Sequence, residues 1–132
     1  MSVKLKYLLD PNHDRYNRSK KHELRIAKLL GGRRLPNSGG ARRSRWDANQ
    51  SQGGDIETAM HIVECKRTET KSMSVKREWW TKVCEGAALR RKLPALVLTF
   101  EQNGREPEDL VVMSLTDVLR LCGQQLGCPA EK

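Results

Sequence analysis

The chain has 132 residues, enough for one domain with a single hydrophobic core, and it carries a net charge of +9 with 31% charged residues. The excess is segregated: residues 1–50 hold 13 Lys+Arg against 4 Asp+Glu, whereas residues 51–132 hold 12 of each. This balance favours a polyanionic partner, nucleic acid above all, and excludes a membrane span, since no apolar run is long enough.

Residues 1–17 read as an arm or loop, with Asp10-Pro11-Asn12 marking a turn. Ser19 is placed to cap a helix running to Leu30, where Gly31-Gly32 stops it. Ile26, Ala27 and Leu30 form its apolar stripe, and Glu23 shares that stripe rather than the face of Lys20, Lys21, Arg25 and Lys28. A carboxylate there has two accounts. It stands at the helix start with its head in water, favoured by the dipole, or it points into a buried polar site. Spacing alone leaves both open.

Residues 36–54 contain four glycines, three arginines and little apolar content, the composition of a long mobile loop. Arg42, Arg43 and Arg45 suit bidentate phosphate contacts, and Trp46 is able to stack on a base or fold back on the core. No P-loop pattern follows Gly39-Gly40.

The most informative stretch comes next. Asp55-Ile56-Glu57 and Ile62-Val63-Glu64 read as two strands of a hairpin closed over Thr58 to His61, a segment without a favoured turn residue. In that register Asp55 faces Glu64, and like charges so placed repel. A divalent cation between them removes the repulsion, because carboxylate oxygens suit magnesium or manganese. Period two sets Lys66 on the face of Ile62 and Glu64, opposite Val63 and Cys65. Two carboxylates, a cation and an ammonium in one place form the constellation of a metal-dependent phosphodiesterase.

A helix is expected from about Ser74 to Arg91, with Trp79, Val83, Gly86 and Ala87 (or Trp80, Cys84 and Ala87) on its apolar face. Leu93 to Phe100 is nearly all apolar, as in a strand buried on both faces. Asn103-Gly104 turns the chain, Asp109 to Met113 reads as a strand, Leu115 to Leu121 as a short helix, and the rest as a frayed tail. The order predicts an α/β fold with a central mixed sheet flanked by helices. The expected layout is an arm over 1–17, one domain over 18–122 with the basic loop 36–54, and a tail over 123–132. Cys65, Cys84, Cys122 and Cys128 lack paired spacing and are read as reduced, intracellular thiols.

Glu23, the Ser38-Gly39-Gly40 loop, Gly54-Asp55-Ile56, Glu64-Cys65-Lys66 and Lys92-Leu93-Pro94 together resemble the PD-(D/E)xK nuclease superfamily, and within it the small archaeal and phage Holliday-junction resolvases. The likeness runs from about Arg18 to Leu121, with Gly54 where the superfamily name has proline. It implies a restriction-endonuclease-like core in which Asp55, Glu64 and the backbone carbonyl of Cys65 hold Mg²⁺ (Mn²⁺ substituting). Glu23 would hold a second ion or its water, Lys66 would orient the attacking water, and Ser38 would contact the scissile phosphate. It further implies a homodimer that cuts four-way DNA junctions by symmetric nicks, leaving a 5′-phosphate and a 3′-hydroxyl, in the cytoplasm of a prokaryotic or phage-infected cell. Two alternatives stand beside it: a nuclease of the same fold acting on linear or damaged DNA, and a basic DNA-binding module whose carboxylates are structural.

Overall fold

The computed structural model describes residues 11–36 and 53–123, with side chains from Asn17 onward. The expectations for Ser38, Arg42, Arg43, Arg45 and Trp46 therefore lie outside the described residues, as do those for residues 1–10 and 124–132. The elements are α1 (Pro11–Leu30), β1 (Arg33–Arg34), β2 (Ile56–Glu57), β3 (His61–Thr68), α2 (Arg77–Leu89), β4 (Leu93–Phe100), β5 (Glu108–Val112) and α3 (Leu115–Leu121).

α1 begins at Pro11, eight residues before the Ser19 cap that the sequence suggests. Proline suits the first helical position, where its fixed φ is preset and its missing N–H has no intrahelical partner to lose. The added turns contain no aliphatic residue and a single aromatic, Tyr16, so no apolar periodicity announces them. α2 is shorter than expected at both ends, β5 starts one residue earlier, and α3 falls where predicted, capped by the Ser114 side chain accepting from the Asp117 N–H at 3.1 Å.

The strands form one five-stranded mixed sheet in the order β1-β2-β3-β4-β5. β3 and β4 are parallel, joined through α2, and the other neighbours are antiparallel. Both faces are covered. Ile26 and Ala27 of α1 pack with Ile56, Val63, Cys65, Ala95 and Val97 on one face. Val83 and Ala87 of α2 pack with Leu35, Ile62, Leu96 and Leu98 on the other. Alternate residues of β4 thus serve opposite layers, which is why its sequence is a continuous apolar run.

The β2–β3 hairpin pairs Ile56 with Val63 and Glu57 with Ile62, the register that the sequence predicts. Its turn relies on Thr58, whose hydroxyl accepts from the Met60 and His61 N–H groups at 3.3 and 2.9 Å. A Ser/Thr side chain imitating a backbone turn supplies what the missing glycine or asparagine would have done. Cys65, Cys84 and Cys122 are free thiols. Among the described residues no helix is long and apolar enough to cross a membrane.

Candidate metal centre at the fork of the sheet

Beyond Ile56 the ladder to β3 breaks, and the break places Asp55. Gly53 and Gly54 precede it with φ of +67° and +101°. A Cβ on Gly53 would strike the Lys82 backbone carbonyl of α2, and one on Gly54 would strike the Ile62 side chain. Two glycines are therefore what lets the chain pass between helix and sheet. The φ of Gly54 also rules out proline, whose ring fixes φ near −65°.

Asp55 is then tied on three sides. Its N–H donates to the Val63 carbonyl and its carbonyl accepts from the Leu35 N–H, both at 2.7 Å. Its carboxylate accepts from the Cys65 N–H at 2.8 Å, so a side chain continues the ladder where β2 leaves off. In a strand the N–H and C=O of one residue point to the same side. The Cys65 carbonyl is accordingly turned toward Asp55, on the side where the resemblance places a backbone ligand.

The hairpin register ends at Ile56–Val63, and beyond it the Glu64 charge still bears on Asp55. Glu64 is buried at 5% exposure, Asp55 at 7% and Glu23 at 4%. Burial, then the charges of Glu64 and Glu23, push the Asp55 carboxyl up to about 8. Burial, then the charges of Asp55, Glu23 and Glu64, hold the Cys65 thiol well above its usual range. Glu23 thus belongs to the acid cluster; the account that leaves its head in water is overturned by its burial.

Two cations border the acids. The Lys66 ammonium lies 3.2 Å from Glu64 and 4.8 Å from the centre of the Trp79 ring, on α2, a favourable cation–π position. Arg34 of β1 lies 3.5 Å from Glu23 through its Nε. Sequence reading missed Arg34 because nothing local distinguishes it from Arg33; only the pairing of Arg34 with Ile56 turns it toward α1.

Three buried carboxylates, with Glu64 and Glu23 adding to burial in raising Asp55, are oxygen donors of the kind a hard divalent cation takes. Among the described residues no three His, Cys, Asp or Glu side chains close into a cage as they stand. Magnesium needs none: it binds through one or two carboxylates and completes its shell with water and substrate phosphate. The chain matches no family model, no curated protein and no solved structure.

Proposed function

We propose that this chain is a cation-dependent DNA endonuclease with a restriction-endonuclease-like core, nicking four-way junctions symmetrically as a homodimer. The observation that carries the reading is the convergence of buried Glu23, Asp55 and Glu64 beside Lys66 at the fork of the sheet.

Asp55, Glu64 and the Cys65 carbonyl are the groups that would hold Mg²⁺ or Mn²⁺, with Glu23 beside them. When bound, such a cation neutralises charge gathering on the phosphate and on the leaving oxygen. Lys66, steadied by Glu64 and the Trp79 ring, offers N–H donors to orient the attacking water. Asp55 is held rigid by its three hydrogen bonds, so it meets an incoming phosphate without rearrangement. The basic N-terminal half draws the polyanion in.

The deciding experiment compares cleavage of a four-way junction with that of matched linear duplex, with Mg²⁺ and with chelator. Paired nicks in the junction alone, abolished in chelator and in Asp55→Asn, are expected. Equal cutting of both DNAs would leave a nuclease without junction preference, and binding without cutting would leave a basic DNA-binding module.

A further inference from the structure

Each of the three helices among the described residues ends on a residue in the left-handed region. In α1 and α3 that residue is glycine, Gly31 at φ 68° and Gly123 at φ 59°. In α2 it is Arg91, at φ 55°, the one non-glycine residue with positive φ among those described. The hydrogen bonds are those of a Schellman stop: Arg91 N–H to the Ala88 carbonyl at 3.2 Å, and Lys92 N–H to the Ala87 carbonyl at 2.9 Å. Glycine is the residue that such a stop favours, because a Cβ is strained there. Stability therefore gives no reason for an arginine, while charge does.

The turn that Arg91 occupies lies in a concentration of cations. The Glu57 carboxylate is met by Arg33 at 2.7 Å, Lys92 at 3.1 Å and Arg90 at 3.9 Å. One carboxylate thus faces three cations, and Arg91, exposed to solvent, adds a fourth beside them. Arg33 comes from the basic half of the chain and the other three from the half whose charges cancel; folding alone assembles them. Glu57 stands two residues from Asp55, about 7 Å along the chain at strand spacing, so the cluster lies within a nucleotide or two of the acid site.

We propose that Arg33, Arg90, Arg91 and Lys92 form a second anion site that grips a backbone phosphate of bound DNA next to the one being cut. Assigning that phosphate to DNA rests on the nuclease reading; the cluster and its strained arginine do not. Glu57 holds Arg33, Arg90 and Lys92 in place, and Arg91 adds its own solvent-exposed charge.

Arg91→Gly tests this with little risk to the fold, since it relieves the left-handed strain. Binding of a labelled four-way junction and of matched duplex is measured by anisotropy in chelator across a salt series, beside thermal melting. The variant should bind both DNAs more weakly at every salt concentration, with the log–log salt slope reduced by about 0.9, and Arg91→Lys should restore most of it. Its melting temperature should match or exceed that of the wild type. Unchanged affinity and slope, or a lower melting temperature, would overturn the proposal while leaving the nuclease reading in place. A wild type that binds neither DNA would instead remove the nucleic-acid reading, and the ligand of this site with it. Loss of retention on phosphatidylcholine–phosphatidylserine vesicles with DNA binding unchanged would assign the cluster to a lipid surface and overturn it too.

Discussion

Asp55→Asn should stabilise the cation-free protein at alkaline pH while abolishing cleavage. The folded state raises the Asp55 carboxyl from 3.8 to about 8, through burial first and then through Glu64 and Glu23. A group raised in the folded state gives stability that is complete below the unfolded value and is lost as pH climbs through the folded one. Each pH unit of that gap is worth about 1.4 kcal/mol, so ionising Asp55 at pH 8 costs at most about 5 kcal/mol. Relaxation and water entry reduce such penalties, which leaves about 2–4 kcal/mol. Asparagine keeps an oxygen to accept from the Cys65 N–H and carries no charge. For a chain of this size about 4 °C accompanies each kcal/mol. The variant should therefore melt about 8–16 °C above wild type at pH 8 in chelator, with the gap closing toward pH 4. Adding Mg²⁺ should raise the wild-type melting temperature and leave the variant nearly unmoved. Calorimetric scans of both proteins from pH 4 to 8 measure this directly, and their difference cancels other titrating groups such as His22. A variant that melts no higher than wild type at pH 8 would refute the acid cluster as the source of the shift.

Glu23→Gln should keep DNA affinity and slow single-turnover cleavage by orders of magnitude; a variant that cuts at the normal rate removes Glu23 from the site. Replacing Arg42, Arg43 and Arg45 with alanine should lower the salt slope of DNA binding by about one unit for each phosphate the loop ceases to hold, and an unchanged slope would show that the loop does not touch the backbone. His22 is buried with no hydrogen-bond partner for either ring nitrogen among the described residues, and burial, then Arg25, lowers its pKa. Folding thus resists its protonation, and stability falls as pH drops through the usual histidine value. His22→Leu should lessen the loss of stability below about pH 6 in melting curves, and an identical acid limb in both proteins would count against this.

Much of the fold was legible because its signals are local. The apolar run of β4, the span of α3 and the Ile26 and Ala27 positions of the α1 stripe each show in a short stretch of chain and lie where expected, whereas Leu30 of that stripe is exposed. The β2–β3 register, Ile56 against Val63 and Glu57 against Ile62, was legible for the same reason: a hairpin converts sequence spacing into register once its turn length is known. What failed was also local in cause. The first turns of α1 have no apolar stripe, and the Thr58 turn uses a side-chain hydroxyl that composition rules rank low.

The sequence by itself determined the alternation of helices and strands, the hairpin, and the carboxylates and lysine on which the proposed function rests. Only the tertiary structure decided that Glu23 is buried with Asp55 and Glu64 rather than solvated at a helix start, because that depends on how α1 lies on the sheet. Only it brought Arg34 to Glu23, Trp79 over Lys66, and Arg33 to the cations after α2. Charge and burial act through distance in space, and residues far apart along the chain become neighbours only when the sheet closes.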